Sequence, residues 1–206
     1  MKDSLLKQWQ KTGIVKDKRL ISAFKSIPRE DFILPENLDE AYSDYPLPIG
    51  HDQTISQPTT IMIMIEALKL KPNDIVLEIG AGSGYNAALM SKLCKKVYSI
   101  EIIKELVLFA RENIIKAGIK NVEIIKGDGS LGYQKEAPFD KIIITAACPK
   151  IPTPLIEQLK EGGIILAPVG ESLGQKMVRG FKEKRKMEFE DLGYFSFVPL
   201  KGKHGF

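Results

Sequence analysis

Cysteine is scarce in this 206-residue chain, which holds two, Cys94 and Cys148. They stand far apart with no C-x-x-C pair and no His/Cys cluster, which excludes a zinc ribbon and argues against a disulfide scaffold; no metal site is expected. There is no run of about 20 apolar residues, so no membrane-spanning helix is expected. The start, Met1-Lys2-Asp3-Ser4-Leu5-Leu6-Lys7, carries charges where a secretory signal would place its apolar segment. Nor is there a large excess of either charge: 30 basic and 26 acidic residues leave +4, too little to point to nucleic acid by itself. These absences together lead to the expectation of a cytoplasmic protein with no membrane and no nucleic-acid partner.

What is present describes a globular protein: 44% of the residues are hydrophobic and 27% charged. A chain of this length buries roughly 70% of the surface it exposes when unfolded, enough for a core without covalent staples. One domain over residues 1–206 is expected, as a monomer, with N-terminal helices and a loop in 1–70, an α/β core in 73–170 and strands in 171–206. The most basic stretch carries Lys176, Arg179, Lys182, Lys184, Arg185 and Lys186, and reads as a solvated turn between two strands, because no aromatic stacking platform is interleaved with it.

Leu5, Leu6 and Trp9 recur at helical spacing, as do Leu20, Ile21, Phe24 and Ile27 before Pro28. Residues 35–53, with Pro35, Pro46, Pro48 and Gly50, read as irregular, and an irregular segment this long is usually functional. Pro58 is placed to open a helix that carries Ile61, Met62, Ile65 and Leu68 on one face. From residue 73, apolar runs alternate with helical patterns: strands at 74–80, 96–101, 121–126, 139–145 and 163–169, helices at 86–94, 104–118 and 155–159. Near-continuous Ile/Val/Leu runs separated by helices predict parallel strands buried on both faces, a doubly wound, Rossmann-like α/β sheet. The runs at 175–181 and 186–198 predict an antiparallel C-terminal hairpin on its edge.

The chemistry begins at Glu78-Ile79-Gly80-Ala81-Gly82-Ser83-Gly84-Tyr85, at the carboxyl end of the first strand of this core. Ligands of open α/β sheets bind there. The dinucleotide spacing G-x-G-x-x-G would need glycine at 85, where Tyr85 stands, and the P-loop pattern is absent. Glu101 ends the next strand, in place to accept hydrogen bonds from both hydroxyls of a ribose. Glu78 beside the loop favours a cofactor with a cationic end over one with a pyrophosphate. S-adenosylmethionine has that chemistry, and Gly127-Asp128 after the third core strand is placed toward its adenine amino group. Gly84 reads as a packing glycine.

After the fourth core strand, Thr145-Ala146-Ala147-Cys148-Pro149 lacks the [DN]-P-P-[YF] sequence of many amino-methylating enzymes. Cys148 is followed rather than preceded by proline, unlike a carbon-methylating nucleophile, and reads as a small buried thiol. Gln53-Thr54-Ile55-Ser56-Gln57-Pro58, together with residues 76–86, 138–147 and 159–170, resembles the protein-L-isoaspartate (D-aspartate) O-methyltransferase family over nearly the whole chain. The resemblance implies methyl esterification of the free α-carboxylate of L-isoaspartyl residues in damaged proteins and peptides, with D-aspartyl residues left open, as the start of protein repair. It implies that Ser56 is the active-site serine and that Thr54, Ile55 and Ser56 border both cofactor and substrate. It further implies that Glu78, Gly80, Gly82, Glu101, Gly127 and Asp128 bind S-adenosylmethionine, whose product is S-adenosylhomocysteine. One departure is Asp52, where the family often has glycine. As a residue, Ser56 could also be a helix N-cap before Pro58. An RNA or small-molecule methyltransferase using the basic turn, and a non-catalytic cofactor-binding module, are the competing readings.

Overall fold

The computed structural model describes residues 1–171 and 174–206. Its N-terminal part follows from the helical apolar spacing. α1 (Lys2–Thr12) buries Leu5, Leu6 and Trp9 and stops at Gly13, whose φ of +67° costs a glycine little. α2 (Lys18–Ser26) starts at Asp17, whose carboxylate accepts the N–H of Arg19 at 2.8 Å. The rings of Trp9 and Phe24 meet edge to face at 4.8 Å. The Trp9 indole N–H donates to Thr59 Oγ1 at 2.8 Å, tying the first helix to α3 (Pro58–Leu68).

Between these helices the chain is more regular than its prolines suggest. Residues Pro35–Glu40 form a 3-10 helix, and β1 (Leu47–Gly50) pairs antiparallel with β2 (Gln53–Ile55) in a two-stranded ladder of its own. Both strands are edges, so Pro48 withholds no N–H that a central ladder would need. His51 and Asp52 make the connection with φ of +55° and +58°.

The main sheet is built from β3 (Ile75–Ile79), β4 (Lys96–Glu101), β5 (Val122–Lys126), β6 (Phe139–Ile144), β7 (Leu159–Val169), β8 (Gln175–Glu183) and β9 (Lys186–Phe195). They lie in the order β5-β4-β3-β6-β7-β8-β9. The first five are mutually parallel, and β8 and β9 run antiparallel at one edge, as the runs at 175–181 and 186–198 predict. α4 (Tyr85–Ser91), α5 (Lys104–Lys116) and α6 (Thr153–Glu157) connect parallel neighbours. Successive residues of β6 enter opposite cores: Ile143 packs with α3, α4 and α5, whereas Ile142 and Ile144 pack with Leu155 of α6. That two-sided burial is why the strand reads as an unbroken apolar run. Each such side chain contributes about 1.5–3 kcal/mol by leaving water.

Several boundaries differ from the sequence reading by two to four residues, those of β7 and β9 the most telling. β7 begins at Leu159 rather than 163, and its register against β6 breaks between Phe139 and Lys141, which lets Gly162 and Gly163 be absorbed into the strand. β9 ends at Phe195, after which the chain leaves the sheet. The basic stretch is the hairpin turn expected, with Lys184 and Arg185 at φ of +52° and +62°. Its cations have nearby partners: Lys176 pairs with Asp191 at 2.9 Å, Arg179 with Glu190, and Lys182 Nζ lies 2.7 Å from the carbonyls of Ile156 and Leu159.

Candidate active site

The strand order reverses between β3 and β6, so the loops leaving their carboxyl ends splay apart and open a crevice. Gly80 begins the loop after β3 at φ +95°, and a Cβ there would stand 2.5 Å from Thr145 Oγ1. Only glycine lets the two loops approach this closely. Gly82 (φ +54°) continues the turn, and Gly84 (φ +86°) packs its bare face against Ala110 of α5, the packing role expected of it.

Glu101 ends β4 against this loop. Its Oε2 accepts the N–H of Gly82 at 2.9 Å, and its Oε1 accepts those of Ile102 and Ile103 at 2.9 and 3.0 Å. Three backbone donors thus fix a carboxylate that also lines the crevice, and acceptor capacity remains for a ribose hydroxyl. The crevice is lined as well by Thr54, Ile55, Ser56, Gly80, Gly82, Asn86, Gly129 and Lys201.

Glu78 lies deeper. Its side chain is fully buried, Oε2 accepts the Ser99 hydroxyl, and Oε1 has no partner among the described residues. Burial pushes its carboxyl up to about 8, against the opposing pull of the Ser99 hydrogen bond. At neutral pH the group is mostly an uncharged acid, not the carboxylate that the residue type suggests. It does not line the crevice itself, whereas Asn86, at the start of α4, does. Gly127 and Asp128 also stand outside the lining. Gly127 follows β5, its N–H bonded to the Glu101 carbonyl at 3.0 Å, and the Asp128 carboxylate turns toward the C-terminal residues.

A second cavity adjoins the first, lined by Pro46, Gln57, Ile63 and residues 194–198, the end of β9 and the chain just after it. Thr54, Ser56, Thr145 and Val198 line both cavities, and so form the wall between them. Of the three hydroxyls in that wall, that of Thr145 is already spent on the carbonyls of Ile79 and Gly80, at 2.9 and 2.7 Å. The Ser56 hydroxyl makes no hydrogen bond among the described residues. Gln57, not Ser56, occupies the N-cap position of α3, and no side chain caps it, so the capping alternative for Ser56 does not hold. The Ser56 carbonyl is held instead, by Arg29 Nη2 at 2.8 Å.

A model of the family described as protein-L-isoaspartate(D-aspartate) O-methyltransferase matches residues 1–205. The chain belongs to this family. A protein-L-isoaspartate O-methyltransferase from Methanoculleus marisnigri is 48% identical over 92% of this chain and 86% of its own length. One from Pyrococcus horikoshii is 45% identical over 98% and 96%. Among solved structures, a protein-L-isoaspartate O-methyltransferase covering all of this chain and 67% of its own superposes with a TM-score of 0.89 at 31% identity. A Plasmodium falciparum protein described as a beta-aspartate methyltransferase, solved with S-adenosyl-L-homocysteine, gives 0.84 at 28% identity over 96% of this chain and 97% of its own.

Within this family member the structure brings Thr54, Ile55, Ser56, Gly80, Gly82 and Glu101 around one crevice and sets Glu78, Gly127 and Asp128 just behind it. Sequence reasoning missed Asn86, Thr145 and Arg29. Asn86 and Thr145 each follow a motif residue closely, but nothing in their type marks them. Arg29 is fully buried, its ring-side neighbour is Tyr85 at 5.4 Å, and Nε and Nη1 lack partners among the described residues. Burial lowers its guanidinium to about 10.

Proposed function

We propose that this chain methylates the free α-carboxylate of L-isoaspartyl residues in damaged proteins and peptides, with S-adenosylmethionine as methyl donor. The observation that carries this reading is the Ser56 hydroxyl, without a partner among the described residues, in the wall between the crevice at the carboxyl end of β3 and a second cavity. The residues suit the donor: a backbone-fixed Glu101 for the ribose, the Asn86 amide on the crevice wall, and a glycine loop at the carboxyl end of β3. Gly80, Gly82, Thr54 and Ile55 shape that crevice, and Glu78, Gly127 and Asp128, outside its lining, are proposed to belong to the same cofactor site.

When bound, the donor supplies an electrophilic methyl group on a sulfonium. An α-carboxylate, with a reference pKa of about 3.3–3.7, is already ionised at neutral pH, so no general base is needed. Ser56 donates a hydrogen bond to one carboxylate oxygen and thereby aims the other at the methyl group. Arg29 fixes the serine's backbone while the hydroxyl does so. The reaction turns an anion and a cation into two neutral groups, so a site that excludes water favours it. Holding oxygen, carbon and sulfur in line supplies several kcal/mol more, up to about 7–11 in the best intramolecular cases.

The chain is proposed to act as a single domain and a monomer in the cytoplasm, with isoaspartyl proteins as its partners. Among the described residues no helix is long and apolar enough to cross a membrane, and no His/Cys/Asp/Glu cluster could hold a metal ion. A synthetic isoaspartyl peptide gains a base-labile methyl ester from this protein, and its aspartyl twin does not. Equal labelling of the two, or a label that survives mild alkali, overturns the assignment.

A further inference from the structure

Gln57 follows Ser56 in the chain, and its backbone is held on both sides. Arg29 Nη2 donates to the Ser56 carbonyl at 2.8 Å, and the Gln57 carbonyl accepts the N–H of Ile61 at 3.2 Å, the first bond of α3. Pro58 then follows with a fixed φ and no N–H of its own. A side chain at the N-cap position commonly turns back to accept an N–H of the first helical turn. Here Asp44, from the loop before β1, does so instead: its Oδ1 accepts the N–H of Thr59 at 2.9 Å and its Oδ2 the Thr59 hydroxyl at 2.6 Å. The Gln57 side chain caps nothing, and its amide is left without a hydrogen bond among the described residues.

Gln57 is half-buried and lines the second cavity but not the crevice, whereas Ser56 lines both. Among the described residues of the second cavity's wall none is charged; apart from Gln57 the wall is apolar, as at Pro46, Ile63, Phe195 and Phe197, or carries hydroxyls. Gln57 supplies the one planar amide there, with two donors and an acceptor. A peptide drawn from water against such a wall must still satisfy its backbone groups. In an extended chain the N–H and C=O of one residue point the same way, which is how paired strands exchange two hydrogen bonds, and a carboxamide can meet both at once. Ser56 and Gln57 are neighbours about 3.8 Å apart at Cα, so a hydroxyl and an amide stand side by side on one cavity. A carboxylate and the backbone of the next residue are neighbours in the same way in an isoaspartyl peptide.

We infer that Gln57 is a substrate-binding residue, whose side-chain amide takes the backbone N–H and C=O of a residue flanking the isoaspartate while Ser56 takes the carboxylate. The inference rests on the methylation proposed above and deepens it. The hydroxyl selects the carboxylate, and the amide grips backbone that every sequence shares, so the flanking side chains need not be read.

The full-length protein is assayed with an isoaspartyl peptide and with two relatives of it, N-methylated on the residue before or the residue after the isoaspartate. Gln57→Met keeps the length of the side chain and drops the amide. It is expected to raise the peptide KM about tenfold, the scale of one or two neutral hydrogen bonds, with kcat within about twofold, because the contact is the same before and during the reaction. S-adenosylhomocysteine affinity, read by calorimetry, and the melting temperature should match the wild type, since the amide neither lines the crevice nor caps the helix. Gln57→Glu keeps an acceptor but sets a negative charge beside an anion, so its KM should rise further. On the wild type one of the two N-methylated peptides is expected to show a KM about three- to tenfold higher, and on Gln57→Met that peptide should lose nothing more. A wild-type KM in Gln57→Met, full tolerance of both N-methylated peptides by the wild type, or effects of variant and N-methylation that multiply would each overturn the inference. So would weaker S-adenosylhomocysteine binding by Gln57→Met, which would assign the residue to the cofactor. Should Gln57→Met melt early, the wild type's response to the N-methylated peptides and the KM of Gln57→Glu decide. A wild type inactive on the unmodified isoaspartyl peptide overturns the activity itself.

Discussion

Arg29 Nη2 donates to the carbonyl oxygen of Ser56 at 2.8 Å, across 27 residues of sequence, so a cation that water does not reach fixes the backbone of the serine between the two cavities. The side chain of that serine is left free to turn toward whatever lies in either cavity, because its main chain cannot move.

Ser56→Ala removes the orienting hydroxyl and little else. Turnover on an isoaspartyl peptide is expected to fall about ten- to a hundredfold, the worth of one hydrogen bond to a charged group. S-adenosylhomocysteine affinity, read by calorimetry, stays within about twofold. Unchanged turnover removes Ser56 from the mechanism.

Arg29→Met keeps the length of the buried stem and drops two donors that have no partner. Replacing a buried charge with an apolar chain is often nearly neutral, so the unfolding free energy is expected to change by less than about 2 kcal/mol. The kcat should nevertheless drop severalfold, because the Ser56 carbonyl loses its tether. Denaturant unfolding and steady-state kinetics on one preparation separate the two effects; parallel losses in both would make Arg29 simply a structural residue.

Gly80→Ala combines a backbone at φ +95° with a Cβ 2.5 Å from Thr145 Oγ1. The backbone strain is about 1–2 kcal/mol and the overpacking about 1–3 kcal/mol. Cofactor binding should be lost along with stability, and Thr145→Ser in the same chain, which keeps the offending oxygen, should restore neither.

Glu78 gives the free protein a pH signature. Its pKa in the fold is raised to about 8 from 4.5, so its contribution is fully present below 4.5 and is lost as the pH climbs through 8. The melting temperature should therefore decline between about pH 5 and 9 on account of this group. Glu78→Gln, uncharged throughout, should flatten that part of the profile. A mutant curve parallel to the wild type places the titration elsewhere.

Asp52 sits with His51 in the tight turn between β1 and β2, both at positive φ, the conformation in which glycine is preferred at the second position. Backbone geometry alone would favour a glycine there, and Asp52 is exposed at the tip. Asp52→Gly relieves the strain but frees the unfolded chain, so a net gain of up to about 0.5–1 kcal/mol is expected from thermal unfolding. A net loss would show that the aspartate makes its own contribution to the turn.

Much of this was legible in the residues. The parallel strands announced themselves because both their faces are buried, as with Ile142, Ile143 and Ile144, and Glu101 because a strand end beside a glycine loop is where a ligand meets an acid. Thr54, Ile55 and Ser56, which line the crevice, were singled out by resemblance alone. The short β1–β2 ladder escaped because strands of four and three residues carry too little alternation to outweigh two prolines. Arg29 and Thr145 escaped for another reason: each depends on which distant backbone atom comes within 3 Å, and side-chain type does not encode that.

Both thiols are out of water, and burial holds each at about 12. Almost none of either is thiolate at neutral pH, so oxidants and alkylating reagents have little to attack while the fold is intact. A catalyst for mending worn polypeptides is thereby spared one of the commonest forms of chemical wear.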